Sequence, residues 1–105
     1  MSSNKGLLLV TMEPPAGLED EFNDWYDNTH IPEITAVPGF VSARRYKVLG
    51  PAGGPAYLAI YEIEADDLTA PAKELRARRT TGAPALRLDP PPVVTFYELM
   101  EQKSE

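Results

Sequence analysis

The sequence predicts an α+β domain in which four strands and two helices follow the order β-α-β-β-α-β. Three observations predict it: four short apolar runs with strand character, one helix-length segment with a single apolar stripe, and proline or glycine at most boundaries. The length of 105 residues suits one domain, so residues 1–105 are expected to form a single unit whose ends, 1–4 and 101–105, fray.

The four predicted strands are apolar on both faces. The first contains the nearly continuous apolar run LLLV at residues 7–10, which is typical of a strand covered on both sides. In the third, Tyr57, Ala59, Tyr61 and Ile63 share one face, and Leu58 and Ile60 lie on the other. The predicted strands cover residues 5–13, 40–49, 57–65 and 93–100, and connections rich in glycine and proline are expected at 50–55 and 82–92.

Residues 17–30 are predicted to form an amphipathic helix. Acidic residues occupy its first turn, where the helix dipole favours negative charge. Because Pro32 disfavours helical geometry at Ile31, the helix is expected to end near His30. Its apolar stripe consists of Leu18, Phe22, Trp25, Tyr26 and Thr29.

A second, weaker helix is predicted over residues 66–79. Asp66 or Asp67 can cap it, and Pro71 then lies in its first turn, where a missing N–H costs little. The dipeptide Pro38-Gly39 signals a turn between the first helix and the second strand.

This order of elements is the split βαβ arrangement of ferredoxin-like folds, with one four-stranded antiparallel sheet and both helices on one face. The helices leave the second apolar face of the sheet uncovered, and a large exposed apolar surface is an aggregation hazard. The economical cover is the same face of another copy, so an isologous homodimer is expected.

Composition excludes several classes of function. The net charge of −6, from 16 acidic and 10 basic side chains, opposes binding to nucleic acid or anionic lipid. The absence of cysteine excludes disulfides, thiol nucleophiles and thiolate metal sites. The sequence has no recognisable signal peptide and no run near the roughly 20 apolar residues of a membrane span. The expected location is therefore the cytoplasm, with no nucleic-acid or membrane partner.

The candidate chemistry is concentrated in the segment WYDNTHIPEI, residues 25–34, which holds the only histidine, His30. Tyr26 and Asp27 precede it by four and three residues, so both can reach the imidazole on a helix. Histidine titrates near neutral pH and is the natural proton shuttle, and Asp27 is expected to orient it. Alternatively, His30 only interacts with the last carbonyls of its helix, because it lies at the edge of the apolar stripe.

Strand residues supply the other candidate groups, whereas cofactor and metal motifs are absent. Arg44 and Tyr46 share one face of the second strand and Arg45 lies on the other, so parity alone leaves open which arginine faces a cleft. Tyr61 is a candidate hydroxyl donor, and Trp25 is either a core anchor or a hint of an aromatic ligand. One histidine without cysteine rules out a structural zinc site.

The run FNDWYDNTHIPEITAVPGFVSARRYKV, followed by PAYLAIYEIEADD, resembles the EthD-like dimeric α+β-barrel proteins and their uncharacterised bacterial relatives. The resemblance covers residues 7–64, and residues 93–98 fit the last strand of that family. It implies a dimer whose sheets face each other as a barrel, with a small organic ligand in the cleft between sheet and first helix. It also implies that His30 faces this cleft. The pattern of the haem-binding branches is missing from the sequence, so no cofactor is expected.

The resemblance implies several activities: isomerase, lyase, cyclase and dehydratase chemistry, and cofactor-free oxygenation. We therefore expect a cofactor-free acid/base enzyme acting on a small carbonyl compound, with His30 as general base. The expected substrate-binding residues are Trp25, Tyr26, Arg45, Tyr46 and Tyr61. The alternatives are a cofactor-free monooxygenase and a non-catalytic ligand-binding or accessory dimer.

Overall fold

The computed structural model describes residues 4–14, 16–50, 56–78 and 92–100, and it confirms the predicted α+β, ferredoxin-like order. The expected connections at 50–55 and 82–92, apart from Gly50 and Pro92, and the tail at 101–105 lie outside these residues. The elements are β1 (Asn4–Met12), α1 (Glu19–Trp25), a π-helical turn (Tyr26–His30), α2 (Ile31–Thr35), β2 (Phe40–Lys47), β3 (Tyr57–Ala65), α3 (Thr69–Ala77) and β4 (Val93–Glu98).

The strands form one antiparallel sheet in the order β2-β3-β1-β4. β1 pairs with β3 on one side and with β4 on the other, and this central position explains its nearly continuous apolar run. β1 begins at Asn4, which pairs with Ala65, one residue before the predicted start at residue 5.

The two faces of the sheet differ in what covers them. On the helix-covered face, alternate residues of β1 and β3 are fully buried, among them Leu8, Ala59 and Tyr61. The opposite face, called the open face below, has no cover within the described chain. Its side chains include Leu7, Leu9, Leu58 and Ile60, which are half-buried, and Tyr46 and Tyr97, which are exposed.

The first helix does not end near His30, as the sequence predicted, but continues to Thr35. The chain passes into a π-helical turn, in which the Ile31 N–H donates to the Tyr26 carbonyl five residues back. Pro32 is then the second residue of α2, directly after the π-helical turn, and the helical run continues past it. The local restriction that proline places on its neighbour is overridden because Ile34 is buried in the core.

The remaining boundaries follow local rules that the sequence shows. Gly39 lies in the predicted turn with a φ of +98°, a conformation that glycine adopts easily because it has no Cβ. The second helix is shorter than predicted at its start, because Asp67 accepts hydrogen bonds from the N–H and hydroxyl of Thr69 and so caps its first turn. Pro71 lies in that turn, as expected.

No described helix is long and apolar enough to cross a membrane. The cytoplasmic location and the organisation of residues 1–105 as a single domain stay predictions from the sequence. The helical run, formed by α1, the π-helical turn and α2, lies over the helix-covered face of the sheet.

Candidate functional site

A cavity of about 280 Å³ lies between the helical run and the half of the sheet formed by β1 and β4. The residues that line it are apolar apart from His30 and Tyr26, which suits a small organic molecule. An apolar cavity of about half this size already binds benzene in an engineered protein. The other lining residues are Leu8, Val10, Met12, Phe22, Trp25, Ile34, Leu75, Pro92 and Val94.

The π-helical turn brings His30 to the wall of this cavity. In an α-helix, residues five apart such as Trp25 and His30 point about 140° away from each other. The wider π turn returns them to one face, where their rings stack with centroids 4.6 Å apart and an interplanar angle of 23°. The ring of Tyr26 meets the imidazole edge-on at 4.9 Å. α-Helical periodicity predicted that His30 lies at the edge of the apolar stripe, whereas in the structure it lies on the face that lines the cavity.

Burial sets the protonation state of His30. Its side chain is 20% exposed, and its Nδ1 atom is buried without a hydrogen-bond partner. Desolvation lowers the pKa of His30 below its usual value of 6.5, and the Glu33 carboxylate, 3.9 Å from Nδ1, offsets part of this effect. The imidazole is therefore neutral at pH 7 and can accept a proton.

The alternative role of His30, contact with the last carbonyls of its helix, required the helix to end near this residue. The helical run continues for five residues beyond His30, through α2. His30 therefore lies inside a helical segment, with its ring directed at aromatic neighbours.

The sequence suggested that Asp27 orients the imidazole, but in the structure it does not. Its Oδ1 atom accepts a hydrogen bond of 3.0 Å from Arg45, and Glu33 is the carboxylate that faces His30. Both carboxylates lie three residues from the histidine, on opposite sides in sequence, so spacing alone could not choose between them. Glu33 was within the segment singled out and could have been found by the same rule.

The structure decides which arginine lies beneath the helices. Arg45 points to the helix-covered face, where its guanidinium also donates to Asn23 at 2.8 Å. It lies 4.5 Å from the ring centroid of Tyr26, behind the cavity wall and not in it. Arg44 and Tyr46 project from the open face, so Tyr46, expected in the ligand cleft, is on the opposite side of the sheet from the cavity.

Tyr26 and Tyr61 form a buried hydroxyl pair behind the cavity. Their oxygen atoms are 2.7 Å apart and both side chains are fully buried. Burial is the largest influence on the pKa of each hydroxyl and raises it, although the nearby Arg45 lowers both, so both hydroxyls stay protonated. The two hydroxyls are each other's partners, and of the two residues Tyr26 lines the cavity whereas Tyr61 does not.

A polar network that the sequence did not reveal continues from Arg45 along α1. Asn23 donates to the hydroxyl of Tyr57, which donates to Glu19 at 2.6 Å. The signal that could have found it is the spacing of four between Glu19, Asn23 and Asp27. Within the described residues, no three His, Cys, Asp or Glu side chains gather as a metal site would require.

A model of a domain of unknown function, DUF4286, matches residues 6–78. The chain belongs to this family. The match extends from β1 to α3 and includes His30, Arg45 and both residues of the tyrosine pair. Core atranone cluster protein 1 of Stachybotrys chlorohalonatus is 39% identical over 67 residues, which are 61% of this chain. The chain spans 28% of the length of that relative.

Three solved structures have the same fold. A candidate monooxygenase from Shewanella loihica PV-4 has a TM-score of 0.64 at 13% identity, covering 97% of this chain and 100% of that one. An EthD family protein from Bacillus halodurans C-125 scores 0.59 at 19% identity, with coverages of 92% and 99%. The heme-degrader MhuD from Mycobacterium tuberculosis scores 0.55 at 15% identity, with coverages of 94% and 99%. The EthD-like resemblance is thus confirmed as one of fold.

The tyrosine pair predicts non-additive losses of stability. Tyr61→Phe or Tyr26→Phe leaves one buried hydroxyl without a partner and should cost about 1–3 kcal/mol in the free energy of unfolding. The double variant should cost clearly less than the sum, because both polar groups are then gone. Urea unfolding measures this, with Tyr97→Phe on the open face as a control that should change little. A loss in the double variant equal to the sum of the two single losses would contradict the pairing.

The lowered pKa of His30 predicts acid sensitivity of the fold. Because its pKa is lower in the folded state than in the unfolded chain, the unfolded chain binds more protons between the two values. The free energy of unfolding should therefore fall as the pH drops below about 6.5 towards the folded pKa. His30→Gln should show a flatter profile in urea unfolding across this window. Identical profiles for the two proteins would refute the burial argument.

Proposed function

We propose that the protein is a cofactor-independent enzyme that binds a small, largely apolar carbonyl compound in the cavity and uses His30 as its general base. One observation carries the proposal: a neutral imidazole stands at the wall of an otherwise apolar cavity of about 280 Å³. Its Nδ1 atom has no hydrogen-bond partner, although nearly all buried polar groups in proteins have one. A base placed in this way suits proton abstraction more than structural support.

The geometry supports a simple proton transfer. The neutral imidazole takes a proton from the carbon next to the carbonyl, and the resulting enolate faces the new imidazolium in a cavity of low dielectric. Glu33, 3.9 Å from Nδ1, stabilises that imidazolium. Return of the proton at another carbon gives isomerisation, and loss of a leaving group gives a lyase reaction.

The comparisons support an enzyme-like role at a coarser level. The fold is shared with a candidate monooxygenase, an EthD family protein and a heme-degrader, so a fold that accommodates small molecules is in place. The relative of 39% identity, of which this chain spans 28%, is named as a core atranone cluster protein. The monooxygenase neighbour favours a second candidate, in which the carbanion made by the same base reacts with oxygen.

The test follows exchange of carbon-bound hydrogen, which needs no knowledge of the final product. Bicyclic aryl ketones and β-dicarbonyl compounds are incubated with the protein in D₂O, and deuterium uptake next to the carbonyl is followed by NMR. His30→Gln should lower the exchange rate of the best compound by about 10²–10⁴-fold, because the base is lost. Leu99→Ala, at an exposed position outside the cavity, is the matched control and should exchange like the parent protein.

Other results of this assay would identify the alternatives. Binding without exchange in either protein would favour a ligand-binding protein. Oxygen consumption that His30→Gln abolishes would favour the monooxygenase. Exchange that is unchanged in His30→Gln would overturn the role of His30.

The homodimer is part of the same proposal. The open face has a central apolar strip, including Leu9 and Ile60, that no described element covers, and it is flanked by the exposed rings of Tyr46 and Tyr97. A second copy of the same face would remove this strip from water. Sedimentation should give twice the mass of the 11.6 kDa chain at micromolar concentration, and Ile60→Glu should give the monomer. A parent protein that sediments as the monomer would contradict the dimer.

A further inference from the structure

We propose that Arg45 is a positioning residue that holds the π-helical turn in register and so keeps the imidazole of His30 stacked at the cavity wall. Its effect on turnover rests on the proposed function, whereas its effect on the position of the imidazole needs no substrate. The two claims can therefore fail separately.

The guanidinium of Arg45 joins the sheet to the start of the π-helical turn. Arg45 lies on β2 opposite Ala59 of β3, and its two terminal nitrogens donate to Asn23 at 2.8 Å and to Asp27 at 3.0 Å. Asn23 belongs to α1 and Asp27 to the π turn, so the two hydrogen bonds span the junction between the helix types. The far end of the turn is held by Ile34 of α2, which is buried in the core.

Because both ends of the π-helical turn are held, its residues can adopt only one register between them. A shift of one residue in a helix rotates every later side chain by about 100°. Such a shift would move the imidazole off Trp25, because their 4.6 Å stack depends on the π geometry. The contact between Arg45 and Asp27 opposes this shift at the point where it would begin.

The aromatic contacts of Arg45 extend the same restraint. Its guanidinium carbon lies 4.5 Å from the ring centroid of Tyr26 and 5.4 Å from that of Tyr57. Tyr26 is the first residue of the π turn, and its ring meets His30 edge-on. Arg45 therefore contacts the same ring that meets the imidazole.

Stability alone is a poor explanation of this arrangement. Arg45 is 15% exposed and its Nε atom is buried without a hydrogen-bond partner. Its anionic partner Asp27 is 56% exposed, and an ion pair open to solvent contributes little to stability. A buried polar group such as this guanidinium is best attested where it specifies a register. The register of the π turn is the feature that Arg45 is placed to specify.

The pKa of the single histidine, measured by NMR titration without ligand, tests the proposal. Loss of the restraint should let water reach the imidazole, so the pKa of His30 should rise towards 6.5 in Arg45→Met, Arg45→Lys and Asp27→Asn. Lysine keeps the charge but cannot form the planar two-armed bridge, so it should not rescue. Arg44→Met, at the neighbouring position on the open face, is the matched control and should titrate like the parent protein.

Asp27→Asn separates positioning from a direct effect of charge. Removal of a nearby anion would by itself lower the pKa of His30, whereas loss of the restraint raises it, so the sign of the change decides. Asp27 is 56% exposed, so this variant remains informative if Arg45→Met fails to fold. Glu33, the charged group that faces the imidazole, is present in every variant.

An unchanged or lowered pKa in Asp27→Asn, together with a parent-like pKa in Arg45→Lys, would overturn the proposal and leave Arg45 a structural residue. Failure of the proposed function has a different signature. In that case the deuterium assay shows no exchange dependent on His30, while the titration shifts are still observed.

Discussion

The stack of Trp25 on His30 is the contact on which the rest of the site depends. It exists because the chain inserts a π-helical turn between two helical segments that are both anchored in the core, by Phe22 on one side and Ile34 on the other. Neither anchor can rotate to relieve the turn without exposing apolar surface, which costs about 25 cal/mol per Å². The geometry of the turn is therefore maintained by burial on both sides of it.

Tyr26 contacts two environments that have opposite requirements. Its ring meets the imidazole edge-on and it lines the apolar cavity, where a charge would be poorly solvated. The same ring lies against the guanidinium of Arg45, and its hydroxyl is hydrogen-bonded to Tyr61. Arg45 is not among the residues that line the cavity, and the imidazole is neutral mainly through its own burial. The polar network thus lies within the same core as the cavity without opening into it.

The sequence was sufficient for the fold, because strand alternation and turn chemistry are local properties. The bounds of β3 were predicted to the residue, and His30 was singled out by its place in the segment 25–34 and by the family resemblance. The end of the first helix was missed, because the rule for a residue before proline describes local sterics and the π turn is imposed by tertiary packing. The partner of Asp27 was missed because strand parity does not say which arginine faces inward.

The π-helical turn also has a consequence for how relatives could be sorted. A chain one residue shorter between Trp25 and Ile34 could keep both core anchors by running as an uninterrupted α-helix. It would retain the fold, but a histidine that still lies five residues after the tryptophan would point about 140° away from it. The length of this segment, rather than the presence of the histidine, then distinguishes chains built to present an imidazole from those that share only the scaffold.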